Sequence, residues 1–458
     1  MKVGEKEYRS IWQNEEDRRS VCVIDQRKLP FSFEVLTLRN VRDVCEAISG
    51  MAVRGAPLIG ATAAWGVFFS FIGHCRSMDV LALVAADARR LKDTRPTAVN
   101  LAWAVDLMTE EITKTIKGTL KVNAGSLPEK EVLRAISLLE KRALDLCDAE
   151  AGRSRSIGLH GLPLIEEASR RKRGGAVDIM THCNAGWLAC VDYGTALAPI
   201  YMAHDKGIKV HVWVSETRPR NQGGRLTAWE LSNHGIPCTL ISDNAAGHLM
   251  QNGMVDMIIV GCDRATANGD VANKTGTYLK ALAARDNGIP FYSALPVSSF
   301  DLSVLRPEQI TIEERDGDEV RKMEGIAADD GEGAAGSLSA ASPKAVSLQE
   351  ESCRADSLQA GSLQAGALQA GALQADSLQA GLRQKESPQA EAPGATSAKE
   401  EPLRSGSLQA LNSVFICQPE IPVSNYGFDV TPARLITGLI TDRGVCLANR
   451  NAIKEILS

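Results

Sequence analysis

The sequence predicts an α/β protein in which a mostly helical N-terminal domain precedes a parallel sheet. Three observations carry that expectation. Residues 1–150 hold apolar positions at helical spacing over several long stretches. From about residue 175, short apolar runs alternate with helical stretches, which is the pattern of βαβ units and a parallel sheet. Between residues 325 and 411, Ala, Gly, Ser, Gln, Glu and Pro dominate and aromatic residues are lacking, after which globular composition returns. The expected division is therefore a helical domain over 1–150, an α/β domain over 151–324, an insert over 325–411, and the remainder of the α/β domain over 412–458.

The elements follow in order. Val21–Ile24 reads as a short strand, ended by Leu29-Pro30. Asn40 stands before Val41, Val44, Ile48 and Met51, apolar positions of an amphipathic helix. The run from Gly55 to Gly73 carries no charge. Its length would span a membrane, but it is rich in Gly and Ala, contains Pro57 and has no companion span, so a buried core helix is expected. Further helical patterns cover 80–91, 98–116 and 129–147. Strands are expected at 177–180, 209–214, 237–241, Met257–Val260 and 290–292, with helices near 193–205, 225–233, 245–252 and 275–286. In the insert, Ser357-Leu-Gln-Ala-Gly recurs with variation every five residues to Gly381. That step gives leucines no common helical face, and too few repeats exist for a solenoid core, so a disordered surface loop is expected.

Composition narrows the function. The chain has 458 residues, is 44% hydrophobic and 23% charged, and has a formal net charge of -5. Nothing in that balance favours nucleic acid as a partner. Eleven cysteines occur with no C-x-x-C pair, which argues against zinc ribbons and fits reduced thiols in a cytoplasmic compartment. The N-terminus lacks the apolar segment of a signal peptide. No cluster of His, Cys and carboxylates has metal-ligand spacing, and no phosphate-binding glycine motif is present, so no metal or nucleotide cofactor is expected.

Ligands of a parallel sheet bind beyond the carboxyl ends of its strands. Those ends are polar here: Thr181-His-Cys-Asn-Ala-Gly, Ser215-Glu-Thr-Arg-Pro-Arg-Asn-Gln-Gly-Gly, Ser242-Asp-Asn, Gly261-Cys-Asp-Arg and Ser293-Ala-Leu-Pro. Cys183 sits beside a Gly-containing turn whose N–H groups could let the thiol ionise or donate a proton, although a lone cysteine is more often a buried inert thiol. Asp263 ends a buried strand, where a carboxyl group either has its pKa raised toward acid–base use or caps the next element. Arg54 and Arg95 each stand at the start of an apolar helix, an arrangement that suits a phosphate group as well as a surface ion pair. Lys274, after Asn273, adds a third cation of this kind. His182 is expected to face away from Cys183 in a structural role.

Together with Met51-Ala-Val-Arg-Gly-Ala-Pro, Arg95-Pro-Thr-Ala-Val-Asn-Leu, Asp243-Asn-Ala-Ala-Gly and Asn273-Lys-Thr-Gly-Thr, these segments resemble the 5-methylthioribose-1-phosphate isomerases. That family is similar to the regulatory subunits of initiation factor 2B. The resemblance covers nearly everything except the insert. It implies a helical domain on a Rossmann-like domain, a homodimer, and a sugar-phosphate substrate handled in methionine salvage. It also implies catalytic roles for Cys183 and Asp263, with Asp263 as proton donor. Arg54, Gly55, Ala56, Arg95, Gln222, Asn273 and Lys274 match substrate-binding positions of the family. Two departures stand out: the insert, and Ser424-Asn-Tyr-Gly before Phe-Asp-Val-Thr-Pro, where the family usually has Asn-Pro-Ala.

The implied reaction turns an aldose 1-phosphate into a ketose 1-phosphate, by an enediolate or a hydride shift. Two alternatives remain at this stage: an isomerase of 5-deoxyribose 1-phosphate or ribose 1,5-bisphosphate, and a non-catalytic regulatory subunit.

Overall fold

The computed structural model describes residues 1–326 and 411–458, apart from residues 5, 97 and 123–126. The expected disordered insert falls, from 327 to 410, outside the described residues.

After a short antiparallel ladder of Lys2–Val3 with Lys6–Glu7 comes an antiparallel sheet of β1 (Ile11–Gln13), β2 (Val21–Ile24) and β3 (Val35–Leu38). Four helices follow: α1 (Val41–Ser49), α2 (Ala56–His74), α3 (Val80–Asp93) and α4 (Val99–Val122). The Asn40 side chain caps α1 by accepting the Asp43 N–H at 3.0 Å. Helix α2 is the axis of this domain. It is long and apolar enough to cross a membrane by length and composition, yet 78% of its apolar window is buried inside the fold. Trp65, Phe68 and Phe71 are fully buried among α1, α3 and α4 residues such as Val44, Leu91 and Met108. Each such side chain contributes roughly 1.5–3 kcal/mol.

Helix α5 (Glu129–Arg171) extends the expected 129–147 stretch by more than 20 residues and passes Pro163 without ending. The boundary expected at residue 150 falls inside it. Ala135, Leu139, Ala143 and Leu146 pack in the N-terminal core, while Ile157 and Ile165 pack in the core of the α/β layer. One rigid rod therefore belongs to both layers.

The central sheet has seven strands: β4 (Val177–His182), β5 (Val210–Ser215), β6 (Cys238–Ile241), β7 (Met257–Val260), β8 (Phe291–Ala294), β9 (Gly438–Thr441) and β10 (Gly444–Cys446). Their spatial order is β10-β9-β8-β7-β4-β5-β6, parallel except for β10. Strands β4 and β7 are buried along most of their length, which explains their continuous apolar runs. The chain moves from β4 outward to β5 and β6, then returns to the other side of β4 as β7. The order thus reverses between β4 and β7, and a crevice opens beyond the carboxyl ends of these two strands.

The chain leaves the described region at the end of one short strand and re-enters at its partner. Lys322–Gly325 pairs antiparallel with Asn412–Phe415, and Gly325 lies opposite Asn412. The two ends of the insert are thus already neighbours. Replacing residues 327–410 by a short turn is expected to leave kcat/KM within a few-fold and Tm nearly unchanged, because closure cost changes by only about 0.6 kcal/mol per doubling of loop length. Thermal melts and assays of the deletion variant check this. A large loss of stability would mean that the segment contributes core.

Candidate active site

The crevice between β4 and β7 holds a cavity of about 450 Å³. All nine residues singled out in the sequence line it: Arg54, Gly55, Ala56, Arg95, Cys183, Gln222, Asp263, Asn273 and Lys274.

Cys183 directly follows β4. Its backbone is left-handed, with φ of 64°. Its N–H donates to Thr217 Oγ1 at 2.8 Å, and its carbonyl accepts from the Thr227 hydroxyl at 2.7 Å. The thiol position is thus fixed by the backbone on both sides. Asp263 follows β7, and its N–H donates to the Ala272 carbonyl at 2.9 Å. Its side chain is solvent-accessible through the cavity, although protein atoms crowd it from the cavity wall. Burial pushes its carboxyl pKa up and the nearby Glu313 adds to the rise, while Lys274, Arg54 and Arg95 oppose it. Gly261 lets the two loops approach, since a Cβ there would lie 2.7 Å from Ala185 Cβ.

Arg54 and Gly55 enter just ahead of α2. Gly55 has φ of 86°, and a Cβ on it would meet the Ala189 carbonyl oxygen at 2.2 Å, so glycine is required. The Arg54 guanidinium is held by Asn184, donating to its side-chain oxygen and, at 2.8 Å, to its carbonyl. Asn184 is in turn held by Glu230, a fully buried carboxylate that accepts its amide at 3.0 Å. Glu230 also accepts the N–H groups of Trp187 and Leu188 and the Tyr201 hydroxyl. Burial raises its pKa, and these donors oppose that rise.

Lys274 ends the strand Val271–Lys274 instead of opening a helix; the helix starts at Thr277. Its ammonium donates to the Gly427 carbonyl at 2.9 Å and lies 4.6 Å from the centre of the Phe428 ring. Burial lowers its pKa, with Cys183 and Asp263 acting in the opposite sense. Asn273 is buried and donates to the Thr277 hydroxyl at 3.1 Å. The Gln222 Oε1 is buried without a protein partner, leaving an acceptor for a ligand. His182, as expected, points away: it is fully buried and bonded to the Thr275 carbonyl at 2.9 Å, and burial takes its pKa down to about 3.

Two residues of the cavity had no sequence signal. Glu313 and Arg315 lie on an irregular strap after the short helical turn Pro307–Gln309. Glu319 fixes Arg315 through paired bonds of 3.0 and 2.8 Å, and also accepts from Arg220 at 2.8 Å and Asn425 at 3.1 Å. Burial works to raise the Glu319 pKa, but Arg315 and Arg220 bring it down to about 2. Since the folded pKa is depressed, this carboxylate stabilises the fold above its ordinary pKa of 4.5, and that contribution disappears as pH falls toward 2. Glu319→Gln is expected to cost about 2–3 kcal/mol near neutral pH. In urea titrations, the gap to wild type should narrow steadily below pH 4.5; a gap independent of pH would contradict the pairing.

Arg54, Arg95, Arg264, Lys274 and Arg315 thus face Asp263 and Glu313 across one cavity, an excess of cations that suits an anionic ligand. Met51, Pro57, Ile59, Val99, Ile310 and Phe428 supply apolar wall. Among the described residues, no group of three or more His, Cys, Asp or Glu is placed to hold a metal ion.

A family model described as the initiation factor 2 subunit family matches residues 52–447. The chain belongs to that family. It is 44% identical to the methylthioribose-1-phosphate isomerase of Desulfatibacillum aliphaticivorans, over all of this chain and 98% of that protein. It is also 44% identical to the protein of the same name from Brucella anthropi, over all of this chain and 99% of that one. Among solved structures, it resembles 5-methylthioribose 1-phosphate isomerase from Pyrococcus horikoshii OT3, with 30% identity and a TM-score of 0.67 over 99% of this chain and 96% of that one. It also resembles a translation initiation factor eIF-2B delta subunit from A. fulgidus, with 28% identity and the same TM-score of 0.67 over 98% and 99% of the two chains. The helical domain on a parallel-sheet domain is therefore the fold of this family.

Proposed function

We propose that this chain isomerises 5-methylthioribose 1-phosphate to 5-methylthioribulose 1-phosphate, a step of methionine salvage. The observation that carries this reading is the meeting of Cys183 and Asp263 at the β4–β7 switch point in a cavity lined by five cations. A purely regulatory subunit has no use for a thiol and a carboxyl group lining one anion-binding cavity. The full-length identity to isomerases supports the same choice.

In this reading, Arg54, Arg95, Gln222, Asn273 and Lys274 bind the substrate, with the Gly55 and Ala56 N–H groups at the start of α2 facing its phosphate. Protonated Asp263 gives its proton to the ring oxygen as the bond from that oxygen to C1 breaks. Hydrogen then moves from C2 to C1, and the C2 hydroxyl gives its proton back to the Asp263 carboxylate as it becomes the ketone. Cys183 either takes the C2 proton, with C1 reprotonated afterwards, or shapes the site for a direct hydride shift. The apolar wall suits a 5-methylthio group better than a second phosphate. A homodimer belongs to the same reading, through the family resemblance.

The test is a panel of purified substrates: 5-methylthioribose 1-phosphate, 5-deoxyribose 1-phosphate and ribose 1,5-bisphosphate. The first is expected to give the highest kcat/KM. Preference for the bisphosphate, or no turnover of any, would overturn the proposal.

A further inference from the structure

The turn that receives Cys183 is built in a way that the reaction scheme above does not explain. Cys183 is left-handed at φ 64°, and the residue that accepts its N–H, Thr217, is left-handed at φ 68°. Thr217 is β-branched and fully buried. For such a residue this backbone region is an outlier, and it persists only where the surroundings over-determine it. Glycine or asparagine would hold the turn more easily. What they would lack is the threonine hydroxyl, which accepts from Cys183 N–H at 2.8 Å and donates to the Ser215 carbonyl at 2.9 Å. It therefore ties the end of β4 to the end of β5.

Asp243, after β6, holds Thr217 in turn. One carboxylate oxygen accepts the Thr217 N–H at 2.8 Å together with the Ser215 hydroxyl, and the other accepts the Arg218 N–H at 2.7 Å. Lys280 lies 4.0 Å from the first oxygen and is itself buried. His182 lies 3.7 Å from it. Three successive strand ends are thus linked in a row, β6 to β5 to β4, with the thiol-bearing residue at the end of the row. The links reach Cys183 only through its backbone N–H, so they set where the residue sits without touching substrate.

We propose that Thr217, clamped by the carboxylate of Asp243, is a positioning residue that holds Cys183 in its reactive place. The proposal rests on the reading of Cys183 as a reacting group. Burial takes the Lys280 pKa down to about 8, opposed by Asp243, and the ion pair persists below that pH. Above it the clamp keeps its three direct donors but loses its cation.

Thr217→Val keeps shape and removes the hydrogen bonds of the hydroxyl, its 3.4 Å contact with His182 Nδ1 included, leaving the Cys183 N–H unpaired. It is expected to lower kcat by about 30–100-fold with KM changed less than about threefold, because an ångström of misplacement costs rate and not affinity. Thr217→Ser keeps the hydroxyl and is expected to restore kcat to within about threefold. Labelling of the Cys183 peptide by iodoacetamide at fixed pH, followed by mass spectrometry, supplies a readout that needs no turnover. Its rate should change in the valine variant and return in the serine variant. Asp243→Asn tests the second link and is expected to lower kcat with KM unchanged, even if the valine variant fails to fold. Wild-type kcat and labelling in Thr217→Val, or a serine variant as impaired as the valine one, overturns the role of Thr217. Unchanged kcat and labelling in Asp243→Asn overturns that of the carboxylate. If Cys183→Ala itself turns over normally, the reading of Cys183 fails, and the labelling rates still decide whether the Thr217 hydroxyl places the thiol.

Discussion

Asp263→Asn is expected to lower kcat by about 10²–10⁴-fold, the usual contribution of a positioned general acid, while the protein folds as before. The asparagine keeps the shape of the side chain and cannot give up a proton. Its effect on stability has a definite sign. A carboxyl group whose folded pKa is raised stabilises the fold only at low pH and works against it once pH rises through that pKa. Replacing it by a neutral amide should therefore leave Tm unchanged or raise it. The same reasoning fixes the pH profile. Asp263 acts while protonated, so kcat/KM should fall as pH rises through its raised pKa. Glu313 is one of the causes of the rise, whereas Lys274, Arg54 and Arg95 act against it. Glu313→Gln removes a like charge and should move the alkaline limb to lower pH. A limb that stays in place, or moves upward, would show that another group controls it.

Much of this site was legible because parallel sheets concentrate it. Buried strands such as Met257–Val260 read as continuous apolar runs, and the polar residue that ends each run must face the crevice. Cys183, Asp263 and the Asp243 turn all announced themselves that way. Arg54 and Arg95 were legible for a different reason, since an arginine just before an apolar helix stands at the helix N-terminus by construction.

What stayed hidden has no local pattern. Glu313 and Arg315 reach the cavity on a strap whose path is set by Glu319, Arg220 and Asn425, far apart in sequence. Glu230 sits in a six-residue helix and looks like any surface glutamate; only the tertiary structure turns it inward toward Asn184 and two backbone N–H groups. Lys274, before Thr275-Gly-Thr, reads in the sequence as standing at the start of the helix expected near 275–286. Instead, the strand Val271–Lys274 continues, because it pairs along its length with Phe428–Thr431, beyond the insert. Such long-range pairing carries no signal in the local sequence. Helix α5 outran its expected end for a related reason. Its second half is stabilised by packing against the α/β core, which overrides the poor propensity of its Gly and Pro residues.

Cys183→Ala is the other variant expected to have a large effect, with kcat lowered by about 10²–10⁴-fold if the thiol takes the C2 proton. The side chain is small and the residue is anchored through its backbone N–H and carbonyl, so the substitution removes chemistry without disturbing the turn. The pair Cys183→Ala and Cys183→Ser separates two ways of moving hydrogen. If Cys183 abstracts a proton, the wild-type reaction in heavy water should place solvent deuterium at C1 of the product. Both variants should then be severely impaired, because a serine hydroxyl is a far weaker acid than a thiol and is rarely available as an alkoxide. If hydrogen instead travels as a hydride, no solvent deuterium should reach C1, and the serine variant should retain more activity than the alanine one, because a polar group remains beside the reacting centre. Deuterium at C1 together with an active alanine variant would assign the proton transfer to a different group, and Glu313 is the remaining carboxylate in the cavity.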